Sequence, residues 1–187
     1  LTVFWADQSL MPLEILPSDV LADNSWSSLS AMNADGRLVG FARFRTTGTT
    51  YSLGAFHLDW HSDNQTPAFL ENGSMAYDIS DNGIIAGVTP DNGDYRACLW
   101  YPASIEETAE TGRATSYDPA GLLAEKTPFT SSRAMGVNAA GDAVGQATDQ
   151  DGRIHAVMWR NDRMVDLTPT GTADTRAVAL SERNSAG

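Results

Sequence analysis

The sequence is short of cysteine, short of basic residues and free of long apolar runs, and each shortage closes off a class of protein. There is one cysteine, Cys98. An intrachain disulfide is therefore excluded, and a packed core rather than bridges has to hold the fold. Cys98 stands between Ala97 and Leu99, a setting in which a free cysteine acts as a small buried hydrophobe. Twelve basic residues face 24 acidic ones, for a net charge of −12. Such a surface repels a phosphate backbone, which excludes nucleic acid as a partner. No apolar run approaches the ~20 residues of a membrane-crossing helix, so no transmembrane segment is expected. No signal peptide is visible either, because no charged region followed by an apolar stretch opens the chain. The chain begins at Leu1 and ends at Gly187, inside repeats at both ends, and so reads as a piece of a longer protein.

The usual catalytic signatures are missing as well. The sequence has no glycine-rich phosphate loop, no paired metal-binding cysteines and no Gly-x-Ser-x-Gly nucleophile turn. The Ser-x-Asp-x-Gly-x-x-x-Trp box of sialidase-type propellers is also absent. No cofactor is expected.

What is present is a repeat. Met32-Asn33-Ala34-Asp35-Gly36-Arg37-Leu38-Val39-Gly40 returns as Ile79 to Gly87 and again as Val137 to Gly145. A fourth copy starts at Leu180-Ser181. Asn33, Ser80 and Asn138 are residues that bond to backbone N–H groups ahead of them and so open turns. Gly36, Gly83 and Gly141 supply the positive φ such turns need. The second glycines, Gly40, Gly87 and Gly145, fall inside the following apolar stretch, where a glycine marks a bulge or a close backbone approach. Small residues precede each block, as in Ser74-Met75-Ala76, Ser132-Arg133-Ala134 and Thr175-Arg176-Ala177. A second polar turn and a strand ending in Trp follow it, at Arg96 to Trp100 and at His155 to Trp159.

The third unit reads as four strands, near 132–138, 142–148, 154–160 and 163–168. Their short connections imply antiparallel neighbours. Four short strands in about 40–50 residues is the size of a propeller blade. The fold class is therefore all-β, a β-propeller-like array of four-stranded antiparallel repeats. One repeat domain, 1–187, divides into units at 1–26 (partial), 27–72, 73–130, 131–173 and 174–187 (partial). Ile105 to Gly112 reads as an acidic surface loop. In the first full unit the third strand falls at Gly54-Ala55-Phe56 or at Pro67 to Leu70, and Trp60 matches Trp100 and Trp159 under one of these registers only.

The units resemble the bacterial extracellular repeats named after a His-Ala-Phe motif, whose pattern joins a small-residue strand, an Asn-x-x-Gly turn, a Val-Val-Gly-like strand and His-Ala-Phe with Trp. His155-Ala156-Val157-Met158-Trp159 is the nearest match, and Arg96-Ala97-Cys98-Leu99-Trp100 keeps the Ala and the Trp. The resemblance implies a propeller-like fold and an extracellular or cell-surface location, with the periplasm as a variant. It implies no catalytic residues.

Residues that recur belong to the scaffold, so Trp100 and Trp159 are expected to be buried between units, in keeping with the apolar area a Trp covers. Aromatics that do not recur are the candidates for a ligand face: Trp26, Tyr51, Tyr95 and Tyr101, with Tyr117. A second candidate is the stretch from His57 to Asp63. As a strand it would place His57, Asp59 and His61 on one face, a donor set suited to zinc or a similar metal. The span from His57 to His61, about 13 Å on a straight strand, is too long for one ion to hold both. Asp149-x-Asp151-Gly152 looks like the start of a calcium loop, but its twelfth position is Arg160, which excludes that site. Open strand edges invite self-association or the remainder of a parent chain. The function expected is a non-enzymatic surface scaffold binding a protein or carbohydrate; the alternative is a glycan-active hydrolase or lyase whose site lies partly outside this chain.

Overall fold

The computed structural model describes residues 2–6, 9–13, 25–61, 67–103, 117, 121–123, 129–161, 163–169 and 174–181, the first two segments as backbone. The protein is all-β, with no helix among the described residues. A two-stranded hairpin, β1 (Thr2–Ala6) and β2 (Ser9–Leu13), precedes three four-stranded sheets. The first sheet holds β3 (Trp26–Met32), β4 (Arg37–Thr47), β5 (Thr50–Asp59) and β6 (Ala68–Phe69). The second holds β7 (Met75–Ile79), β8 (Ile85–Asp91), β9 (Asp94–Trp100) and β10 (Gly121–Leu122). The third holds β11 (Phe129–Val137), β12 (Ala143–Asp149), β13 (Ile154–Arg160) and β14 (Arg163–Asp166). Each sheet is a meander in which consecutive strands pair antiparallel. The three sheets stay separate and do not close into a ring.

The recurring block builds the same turn three times. The Asn33 side chain accepts the Arg37 N–H at 2.9 Å, Ser80 Oγ accepts the Ile84 N–H at 2.9 Å, and the Asn138 side chain accepts the Asp142 N–H at 3.0 Å. Gly36, Gly83 and Gly141 stand at φ 77, 87 and 76, which a side chain would resist. Asp149 builds the same turn between β12 and β13 by accepting the Arg153 N–H at 2.9 Å, with Gly152 at φ 79.

The second glycine answers to a bulge. In all three sheets the register of the first strand slips at the same place, between Leu29 and Ala31, Ala76 and Asp78, and Ala134 and Gly136. A bulge bends its strand and raises the local twist. Here it brings a carbonyl of the first strand over the second. A Cβ on Gly40, Gly87 or Gly145 would fall on the carbonyl oxygen of Ser28, Met75 or Arg133 respectively. Any side chain at these three places collides with backbone.

Adjacent sheets are joined through one alanine of the third strand, Ala55, Ala97 or Ala156. Its carbonyl accepts the N–H of the leucine just after the fourth strand: Leu70 at 2.8 Å, Leu123 at 3.0 Å and Leu167 at 2.8 Å. Its N–H reaches the next unit. Ala97 N–H donates to Ser132 Oγ at 2.9 Å, and Ala156 N–H to Thr175 Oγ1 at 3.0 Å. Ala55 N–H reaches the Gly73 carbonyl at 3.2 Å. Residues 174–181 form no strand, but they hold the place of a further first strand: Ala177 N–H donates to the Gly145 carbonyl at 3.2 Å.

The core follows the two-residue period of the strands. Along β9, Cys98 and Trp100 pack with Val39, Ala55 and Leu70 of the first sheet, while Ala97 and Leu99 pack with Val157 and Trp159 of the third. Trp100 and Trp159 are buried between sheets, as expected from their recurrence, and Cys98 is buried too. The first unit resolves differently. Gly54-Ala55-Phe56 lies in the third strand and Ala68–Phe69 is the fourth. Pairing of Gly40 with Phe56, Gly87 with Cys98 and Gly145 with Val157 makes Leu58, not Trp60, the counterpart of Trp100 and Trp159. Leu58 is buried with Phe56 and Leu38. Ile105 to Gly112 and the continuation of the fourth copy past Ser181 lie outside the described residues.

The close approach sets a prediction. Gly87→Ala should destabilise the protein by about 3 kcal/mol, the upper part of the range for overpacking. Gly121→Ala should stay within about 0.5 kcal/mol, since only the Leu99 carbonyl oxygen lies near, at 3.8 Å. Equal denaturation midpoints for the two variants would contradict the bulge argument. Trp159→Ala should cost about 3–5 kcal/mol by chemical denaturation, as for other buried aromatics.

Candidate functional site

The four middle strands that pack the core are not of equal length. β4 and β5 have 11 and 10 residues, whereas β8 and β9 have 7 each. The β4–β5 hairpin therefore runs past the packed seam between the first and second sheets and leaves a groove there. Its described lining includes Trp26, Arg43, Tyr51 and Leu53 from the first sheet, with Ser74, Asp94 and Tyr95 from the second, around a volume of about 520 Å³. A second hollow of about 450 Å³ shares Leu53, Ser74 and Pro90 and continues to Thr89, Asn72 and Leu122. The two form one elongated trough along the seam.

Register places the groove residues. Trp26 pairs with Arg43, Arg43 with Leu53, and Arg45 with Tyr51. Positions two apart share a face, so Arg43 and Arg45 flank the Tyr51 ring. Their guanidinium carbons lie 4.2 Å and 6.0 Å from its centroid, within cation–π range. Trp26 is 43% exposed and meets Phe41 edge to face at 5.7 Å. Phe41 in turn meets Tyr77 at 6.2 Å. Arg133 donates to the Tyr77 hydroxyl at 3.1 Å and lies 5.3 Å from the Tyr95 centroid. Rings and guanidinium groups thus hold each other in place from the first sheet to the third.

Three of the five aromatic candidates, Trp26, Tyr51 and Tyr95, are brought together here. Tyr117 packs against His57 instead, and Tyr101 is remote as well. It is exposed at the opposite end of β9, with its hydroxyl near Gly141. The arginines were missed, although Arg43 and Arg45 carry a signal: two cations at strand spacing in a strongly acidic chain.

The three candidate metal ligands are separated. The strand ends at Asp59, and Trp60 and His61 turn away. Asp59 accepts the His61 N–H at 2.9 Å, and the His61 ring fills the space that a side chain on Gly36 would need. Asp63 lies outside the described residues. Among the described residues no three His, Cys, Asp or Glu side chains gather as a metal site would require. His57 is buried between the first two sheets rather than on a solvated face. Its ring lies 4.8 Å from that of Tyr117, and Arg37 donates to the Tyr117 hydroxyl at 2.9 Å. Burial, with the Arg37 guanidinium adding to it and Asp59 opposing, lowers the His57 pKa to about 4.

His155 does different work. Its ring nitrogens meet Asp149 at 3.1 Å and Asp166 at 3.0 Å, tying β12, β13 and β14 together. In the second sheet Arg96 and Asp91 hold the corresponding places, 3.4 Å apart. Burial pulls the His155 pKa down, and the bonds to the two carboxylates outweigh it, so the net shift is upward. Asp149, whose other oxygen caps its own turn, is fully engaged in the fold.

A pH prediction follows from His57. Its folded pKa is depressed from 6.5 to about 4, so below pH 6.5 the unfolded chain takes up a proton that the folded one refuses. Stability is unaffected above that pH and falls as pH drops toward 4. Leu99 fills the equivalent place in the second sheet, and His57→Leu should reduce the loss of melting temperature between pH 7 and pH 4.5. An unchanged loss would show that His57 is not held neutral.

No protein-family model, no curated protein and no solved structure matches this chain.

Proposed function

We propose that this chain is a non-enzymatic binding scaffold of propeller-like, His-Ala-Phe-type repeats working outside the cell or at its surface, and that the seam groove takes a carbohydrate. The observation behind this reading is the gathering of Trp26, Tyr51 and Tyr95, three of the aromatics that do not recur, around one trough. Recurring residues are consumed by packing. Trp26, Tyr51 and Tyr95, which are not repeated, collect where β4 and β5 outrun the core. Aromatic rings stack on the apolar faces of sugar rings, and Ser52, Ser74 and Asp94 offer hydrogen-bonding groups for hydroxyls. A trough continuing past one hollow into a second suits a chain of several sugar units.

The trough also speaks against glycan cleavage. Glycoside hydrolysis generally takes a pair of carboxylates flanking the bond, and Asp94 is the one acid in the described lining. The propeller arrangement is supported by the blade-sized meanders and by the shared hydrogen bond from sheet to sheet.

Binding of the whole chain to a panel of soluble polysaccharides, read by affinity electrophoresis, tests the reading. Trp26→Ala should weaken binding about tenfold or more, a loss typical of an anchoring aromatic. Tyr101→Ala, remote from the groove, should leave it unchanged. Binding that survives Trp26→Ala but falls with Tyr101→Ala would move the site to the opposite end of the sheets, and release of reducing ends would overturn the non-enzymatic reading.

A further inference from the structure

Arginines gather at the groove of an otherwise acidic chain. The chain holds 12 basic residues against 24 acidic ones. Arg43 lines the trough, Arg45 shares its face, and Arg133 stands against Tyr95 on its far side. Asp94 is the single acid in the described lining. A positive spot in an acidic surface is more selective than the same spot on a neutral protein. The chain's net negative charge disfavours nonspecific anion capture, which favours an anion with a specific geometric match.

Building on the carbohydrate reading, we propose that the groove recognises a carboxylated glycan, a polyuronate, with Arg43 and Arg45 holding the carboxylate and Trp26 stacking on the sugar ring. Arginine suits this task better than lysine would. Its planar fork meets both oxygens of a carboxylate, and it keeps its charge beside an aromatic ring. The contact with Tyr51, 4.2 Å from the guanidinium carbon to the ring centroid, restrains Arg43 before a ligand arrives, so less side-chain freedom is lost on binding. Trp26 is the cross-strand partner of Arg43. Cross-strand partners have Cβ atoms about 4.5–5.5 Å apart, so the indole and the guanidinium stand side by side on one face and can meet the same ligand.

The test compares three probes on the whole chain by titration calorimetry. They are an oligogalacturonate, the same oligosaccharide fully methyl-esterified, and a sulfated glucan oligosaccharide. The oligogalacturonate should bind at least tenfold more tightly than its ester, and its affinity should fall with added salt. Arg43→Gln should lower the oligogalacturonate's affinity and erase its advantage over the ester. Arg45→Gln, at an exposed position, reads the same effect should Arg43→Gln fail to fold. Equal affinity for acid and ester, altered by neither variant, would overturn the charge recognition and leave carbohydrate binding standing. Equal affinity for the sulfated glucan would overturn the carboxylate geometry. Failure of all three probes, and of the neutral polysaccharides, would overturn the carbohydrate reading itself.

Discussion

A carbonyl oxygen of the first strand pressed against the α-carbon of the second is the constraint on which each sheet depends. It exists because the first strand carries an extra residue, at Ser30, Tyr77 and Met135. It is tolerated because the facing residue is Gly40, Gly87 or Gly145. The bulge also lets the first strand serve two sheets. On one side it pairs with its own second strand. On the other, Ser132 of β11 reaches the N–H of Ala97 in the sheet before it. One local irregularity therefore shapes the sheet and leaves its inner edge free to dock.

Docking then decides where chemistry can collect. Between the first two sheets the seam is closed by Trp100, Ala55 and Cys98, and toward one end by Arg37, His57 and Tyr117. The opposite end is open, because β4 and β5 extend beyond the shorter β8 and β9. Side chains there cannot be covered by the neighbouring sheet. Trp26, Arg43 and Tyr51 are held instead by one another, through ring and guanidinium contacts. The groove is thus a consequence of one hairpin being longer than its counterpart in the next sheet.

Much of this was legible in the residues. The turns, the four-strand units and the burial of Trp100 and Trp159 followed from recurrence, because a repeated residue serves a repeated contact. The β-strands of the third unit lie within a few residues of the positions expected. The first unit was harder. Leu58 stands where the others have Trp, and the ring of Trp60 nearby imitates the pattern two residues late. His57 misled for a related reason: alternation with Asp59 and His61 presumes a strand that continues, and this one ends at Asp59. The hydrogen bond from Ala97 to Ser132 spans 35 residues, and no local pattern announces it. Aromatic candidates could be selected by their failure to recur, but their convergence depends on how far β4 and β5 overhang.

Coupling between sheets through that alanine is the claim on which the scaffold reading stands, and native-state hydrogen exchange measures it directly. The amides of Ala55, Ala97 and Ala156 should exchange as slowly as those of the central strands, and Ser132→Ala should speed exchange at Ala97 while leaving Ala55 protected. Fast exchange at Ala97 in the unaltered protein, or protection at Ala97 that survives Ser132→Ala unchanged, would contradict it.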